Sequence, residues 1–187
     1  MVASRAARIF AFASAFTLSA GVGAAPRPAE PLPDVVGVDV NGQQQRLRSL
    51  VRGPTLVVAI TDRGAEGRMR AWFEAAERRI APEAQRVSVV SIGVPFFVSD
   101  GLARSKAREH VPPRWREQTL MDVDHRMAQA LGLAQDGLPW AFAVDEDGNV
   151  LAAVHAYAED PASEVVWDAL LRAGVSGPAA SGGPPGP

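Results

Sequence analysis

The chain has 187 residues, 47% of them hydrophobic, with 19 Lys and Arg against 21 Asp and Glu and no cysteine. That length and composition suit one globular domain with a sizeable core and favour it over a disordered chain. A net charge of −2 leaves no basic footprint for nucleic acid, and without cysteine the fold has no disulfide staples.

Residues 1–24 have the layout of a secretory signal. Arg5 and Arg8 form the positive start, Ile9–Leu18 is apolar and rich in small residues, and Val22-Gly23-Ala24 offers a cleavage site. The apolar run is shorter than the ~20 residues a membrane span needs. The expected product is therefore a periplasmic or secreted protein, free of the membrane once the leader is removed. Losing the two arginines takes its net charge from −2 to −4. Residues 25–33, containing PRPAEPLP, read as a proline-rich linker. The domain proper is expected over 34–174, and the Gly-, Pro- and Ser-rich segment 175–187 reads as a disordered tail.

The domain opens with a loosely alternating stretch to Val40, a hairpin turn at Asn41-Gly42 and a returning arm from Gln43 to Leu50. Gly53-Pro54 breaks the chain before Thr55–Thr61, a nearly all-apolar, β-branched run that suits a central strand covered on both faces. Asp62–Gly67 is the loop after it. From Arg68 to Ile80, the residues Met69, Trp72, Phe73, Ala76 and Ile80 fall on one helical stripe. Glu66–Arg70 and Glu74–Arg78 have the spacing of ion pairs on its outer side, and Pro82 ends it.

Val87–Val94 is the next buried strand, followed by Phe96 and Phe97 and a short helix over Leu102–Val111 that Pro112-Pro113 stops. Thr119–Met121 is a short strand. Asp122 or Asp124 caps a helix holding Met127, Ala130 and Leu131, which Gly132 closes. Phe142 and Val144 alternate with smaller residues in a strand entered through Pro139, and Asp147-Gly148-Asn149 turns it into a second strand. The last helix spans Ala162–Ala173, with Val165, Val166, Ala169 and Leu170 inward. Strand–helix–strand followed by a helix and an antiparallel hairpin predicts an α/β fold: a central mixed sheet with helices on both faces and an N-terminal β-hairpin.

Gly137-Leu138-Pro139, an apolar strand ending in Asp145, then Asp147-Gly148 and another apolar strand resemble the second half of thioredoxin-like proteins. The nearest-looking groups are the redoxins: exported thiol:disulfide interchange proteins and the alkyl hydroperoxide reductase/thiol-specific antioxidant group. The resemblance covers about Pro31–Leu171 and implies the thioredoxin-like fold. It places the two redox cysteines at Gly64 and Gly67, and Thr61 at the threonine three residues before the peroxidatic one. Both thiol positions are glycine, and a hydroxyl cannot replace a thiolate in disulfide exchange. Thiol–disulfide or peroxidase activity by this chain alone is excluded, and no catalytic residue is assigned. The resemblance further implies that Pro139 is cis and lies beside the Gly64–Gly67 turn, with Trp140 at the lip of a groove.

The candidate binding residues are therefore Thr61, Arg63, Gly64, Gly67, Leu138, Pro139 and Trp140, with Trp72 as a further candidate. They imply a binding or accessory module for a protein or peptide partner, needing no cofactor. Two other readings stand beside it. One is an enzyme with cysteine-independent chemistry, using a metal near Asp122, Asp124 and His125; the other is a redox accessory to a thiol-bearing partner. The Asp122–His125 spacing, even with His155 added, matches no zinc signature, so no metal site is assigned. Gly64–Gly67 could offer helix N–H groups to an anion between Arg63 and Arg68. The simpler alternative is that Asp62 caps its own helix and the arginines are solvated. Asp145-x-Asp147-Gly148-Asn149 resembles the start of a calcium loop, but Ala156 stands where its glutamate is required, so it reads as a turn. The basic stretch Arg104–Arg116 reads as a solvated face around Trp115, a partly buried packing residue or a surface anchor.

Overall fold

A computed structural model of the chain describes residues 24–80, 84–93 and 98–174. The leader up to residue 23, Pro82, Val94, Phe96, Phe97 and the tail lie outside the described residues. In chain order the elements are β1 (Val36–Asp39), β2 (Gln44–Arg46), β3 (Thr55–Ile60), α1 (Glu66–Arg79), β4 (Gln85–Val90), α2 (Asp100–His110), β5 (Thr119–Met121), α3 (Arg126–Ala130), β6 (Trp140–Val144), β7 (Val150–His155) and α4 (Glu164–Arg172). The strands form one sheet in the order β2-β1-β5-β4-β3-β6-β7. The β3–β4 and β4–β5 pairs are parallel, and every other pair is antiparallel. The expected mixed α/β sheet with helices on both faces and an opening hairpin is the observed architecture.

Alternation along the central strands assigns side chains to the two faces. Leu56 and Val58 of β3 and Ala141 and Ala143 of β6 meet Trp72 and Ala76 of α1 and Val166, Trp167 and Leu170 of α4. On the other face Val57, Ala59, Val87, Val89 and Phe142 meet Met127 and Ala128 of α3, together with Leu47 and Leu131. Gly37 of β1 permits the approach of α3, because a Cβ there would lie 2.5 Å from the Met127 sulfur.

Several boundaries differ from the sequence expectations. The arm returning from Asn41-Gly42 is a strand only to Arg46; Leu47–Leu50 is a 3-10 turn. Leu47 and Leu50, three apart, both bury there, and a three-residue turn stacks them on one side. β4 stops at Val90, and α1 begins two residues early, at Glu66. In α4, Val165 is exposed and Trp167 takes an inward position, completing the stripe with Val166 and Leu170. Among the described residues the ion pairs of α1 run outward to other parts of the chain, Arg79 to Glu164 at 2.7 Å and Glu77 to Arg86 at 3.3 Å and to Arg114 at 3.5 Å, rather than along the helix. The proline-rich segment packs against the domain. Pro31 bridges Asn149, Leu32 donates to the Gly148 carbonyl at 2.8 Å, and the Leu32 side chain is buried in the core. Among the described residues no helix is long and apolar enough to cross a membrane.

The β6–β7 turn is built by Asp145. Its carboxylate accepts from the amides of Asp147 (3.0 Å) and Asn149 (2.8 Å) and from the Asn149 side chain (3.1 Å), while Gly148 supplies the left-handed backbone at φ +82°. This settles the calcium-loop resemblance as a turn. Desolvation pushes the Asp145 carboxyl up, but the donors of Asn149, Asp147 and Gly148 outweigh it and hold it below the usual range. A depressed folded-state pKa contributes stability above the unfolded value that is lost as pH falls through the folded one. Asp145→Ala is therefore expected to lower the melting temperature at neutral pH. Its gap from the native protein should narrow on acidification below about pH 4, the unfolded aspartate range. A gap independent of pH would contradict this account of the turn.

Candidate functional site

The end of β3, the start of α1, the loop before β6 and the end of β7 converge at one edge of the sheet. Thr61, the residue after β3, is buried; its hydroxyl donates to the Ala134 carbonyl at 2.8 Å and accepts from the Asp136 amide at 3.2 Å. Thr61 thus clamps the loop that leads to Pro139. Arg68, in the first turn of α1, adds a second tie by donating to the Gly137 carbonyl, and its guanidinium lies 5.0 Å over the Tyr157 ring. The third tie comes from β7, where His155 Nε2 and Asp136 Oδ1 are 2.9 Å apart. Asp136 also accepts from the Leu138 amide at 2.9 Å, which shapes the approach to Pro139.

Gly64 lies in a 3-10 turn, Arg63–Ala65, that runs directly into α1, and Gly67 is the second residue of that helix. Asp62 caps the turn by accepting from the Gly64 amide at 2.6 Å. The capping alternative therefore describes this end of the helix better than an open anion site does. Arg63 is exposed, but Arg68 is not solvated: it is half-buried and engaged with Gly137 and Tyr157. Arg63, Gly64 and Gly67 present an open face, and a Cβ at Gly67 would meet nothing within 4 Å.

Pro139 is buried beside this face, but no described peptide bond is cis, so the expected cis Pro139 is corrected to trans. An X-Pro bond favours trans by about 0.5–1 kcal/mol unless contacts oppose it. Here the trans form already satisfies its surroundings: the Gly137 carbonyl takes Arg68, and the Pro139 carbonyl takes the Ala156 amide at 3.2 Å. Trp140 opposes Ala59, so its ring falls on the sheet face away from α1. There it stacks on His155 at 4.3 Å between centroids and on Phe142 at 6.0 Å. Trp72 is fully buried between α1 and α4 and lines no groove, which corrects its place among the candidates.

The metal reading of Asp122, Asp124 and His125 finds no support. Asp122 accepts from the Ala128 amide at 2.9 Å, Asp124 pairs with Arg126 at 2.8 Å, and His125 Nδ1 lies 2.9 Å from the Ser91 hydroxyl. Among the described residues no group of three or more His, Cys, Asp or Glu is placed to hold a metal ion. The Ser91–His125 pair was not foreseen, and Ser91 is fully buried, out of reach of a substrate. Asp136 and Tyr157 were also missed as parts of this region, and Arg68 was placed there only as the flank of an anion site or as a solvated side chain. Asp136-Gly137 ahead of Leu138-Pro139 is the one local signal, an aspartate able to bond its own backbone two residues on.

Thr61→Val keeps the shape but removes both hydrogen bonds to the loop. It is expected to cost about 0.5–1.5 kcal/mol, the net worth of an ordinary hydrogen bond, because the exposed Ala134 and Asp136 groups can turn to water instead. Amide exchange should quicken selectively over residues 134–139. Uniform quickening across the domain would argue against a local clamp.

No protein-family model matches the sequence, and no curated protein matches it. Solved structures do. A thiol peroxidase from Chromobacterium violaceum superposes with a TM-score of 0.56 at 16% identity, covering 81% of this chain and 90% of its own. A structure described as a putative thiol:disulfide interchange protein DsbE from Chlorobium tepidum gives 0.54 at 17%, covering 80% and 99%. A thio-disulfide isomerase from Thermus thermophilus gives 0.50 at 23%, again covering 80% and 99%. The fold is thioredoxin-like, and the chain that adopts it has no cysteine.

Proposed function

We propose that this is an exported, cysteine-less thioredoxin-fold protein that acts as a binding or accessory module without thiol chemistry of its own. Its partner is a protein or peptide, taken up at the face formed by Arg63, Gly64, Gly67, Leu138 and the Pro139 loop. One observation carries the reading. The loop facing the start of α1 is tied by Thr61, Arg68 and His155, three side chains from three different elements, although no thiol needs the arrangement. A loop that had only lost its cysteines has no use for three long-range ties, whereas a docking face needs a fixed shape. Export rests on the sequence of residues 1–24, with the thiol:disulfide interchange relative as a parallel in fold.

A photocrosslinking residue placed at Gly67 tests it in the native host. Its control sits at Leu171, exposed at the sheet end where Arg172 lies beside Pro54. The expected result is a discrete protein adduct from position 67 that position 171 does not give and that excess unlabelled protein displaces. Identical adducts from both positions, or none from position 67, would contradict a binding role for this face.

A further inference from the structure

Among the described residues, the α1 face of the sheet is sealed by helices over β3 and β6 but not over β4 and β5. In β4, Val87 and Val89 point to the other face, leaving Arg86, Ser88 and Val90 on the α1 side. An arginine and a serine in a central strand are unusual floor residues for a covered face. Above them lies a cleft of about 340 Å³, walled by Met69, Phe73 and Glu77 of α1 on one side and by Ala107, His110, Val111, Pro112, Arg114 and Trp115 on the other. A cleft of this size is at the small end of the ordinary range for small-molecule sites. Gly64, Gly67 and Pro139 do not line it, so it is separate from the face proposed above.

Arg86 is only 4% exposed, and among the described residues its Nε has no hydrogen-bond partner. Its Nη1 donates to Glu77 at 3.3 Å, and its guanidinium lies 5.2 Å over the Trp115 ring. Arg114 contacts the same Glu77 oxygen at 3.5 Å and the same ring at 5.2 Å. Two guanidinium groups thus share one carboxylate at this end of the cleft, while Arg70, Glu66 and Glu74 line the rest of it. Burial pulls the Arg86 pKa down, Glu77 pulls it back up, and Arg114 lowers it again, with a net decrease. A buried charge with an unmet donor is costly unless a partner arrives.

We infer that this cleft binds a small amphipathic carboxylate, its head on Arg86 and Arg114 and its apolar body against Met69, Phe73, Val90 and Met121. The planar guanidinium fork matches a carboxylate. An uncharged ligand of the same shape would fill the wall but offer the two guanidinium groups no charge.

Calorimetric titration of the full protein with octanoate tests this, with octanol and acetate as the uncharged and tail-less controls. Octanoate should bind saturably at one site, at least about tenfold tighter than either control, the factor expected of one charge-assisted hydrogen bond. Arg86→Met keeps the apolar volume and leaves half-exposed Glu77 in water; it should abolish the preference for octanoate over octanol. Arg114→Gln, at an exposed position, should weaken octanoate severalfold and decides the matter if Arg86→Met does not fold. Met121→Trp, which fills the cleft, should weaken octanoate and octanol together. Octanoate binding no tighter than octanol, no saturable binding of octanoate, or full binding in both arginine variants would overturn the inference.

Discussion

Trp72→Ala is expected to bring the domain close to unfolding. Trp72 is fully buried on α1, its ring centroid is 5.0 Å from that of Trp167 on α4, and its Nε1 donates to the Ala156 carbonyl at 3.1 Å. It therefore joins α1, α4 and the chain leaving β7 on one face of the sheet. Truncating a buried tryptophan costs about 3–5 kcal/mol in lost transfer energy and cavity. Stranding the Ala156 carbonyl adds about 1–3 kcal/mol. Together these reach the lower half of the ~5–15 kcal/mol that holds a domain folded. Trp72→Phe keeps much of the volume and loses mainly the hydrogen bond, so it should lie between the two. Urea denaturation of the three proteins checks the order. A loss below about 1 kcal/mol for the alanine variant would show that α1 is not anchored through this residue.

Trp72 also shows what was legible in the sequence. Its place on the Met69–Ile80 stripe marked it as inward-facing, and that periodic reading was correct; assigning it to a groove contradicted its own stripe. Trp140 carries the same lesson. Alternation with Phe142 and Val144 places its ring on the face opposite α1, where it stacks on His155. β3, α1, the Asp147-Gly148 turn and the Asp62 cap were readable because each is specified locally, by period, turn chemistry or a side chain reaching its own backbone. Arg68 was not, because its partners Gly137 and Tyr157 are distant in sequence and an arginine at a helix start looks the same solvated or bound. The Pro139 isomer was unreadable for a related reason: sequence supplies only a small preference, and the surrounding contacts decide it. The Arg86 cleft was half visible. Arg86 and Ser88 break the apolar run of β4, but nothing local says that Trp115 and Glu77 meet them.

The Gly64→Cys, Gly67→Cys double variant should acquire a disulfide that the native chain cannot form. Gly64 sits in the turn that enters α1 and Gly67 in its first turn, so helical geometry puts their Cα atoms roughly 5–6 Å apart, within bonding range. Space favours the second site, where a Cβ meets nothing within 4 Å. At the first, a Cβ would lie 2.9 Å from the Asp62 Oδ1 that caps Gly64, so the carboxylate must swing away. Losing that cap costs about 1 kcal/mol, a tolerable local price. The helix N-terminus and Arg63 should lower the pKa of the new thiol at position 64 and make it the more reactive of the pair.

Mass spectrometry after alkylation, with and without reductant, tests the central claim that Gly64 and Gly67 occupy a redox site emptied of its chemistry. Native protein assayed alongside should neither reduce insulin disulfides nor consume peroxide. Under oxidising conditions the folded double variant is expected to resist alkylation until reduced. Two freely alkylated thiols in a folded, oxidised double variant, or turnover by the native chain in either assay, would contradict the account.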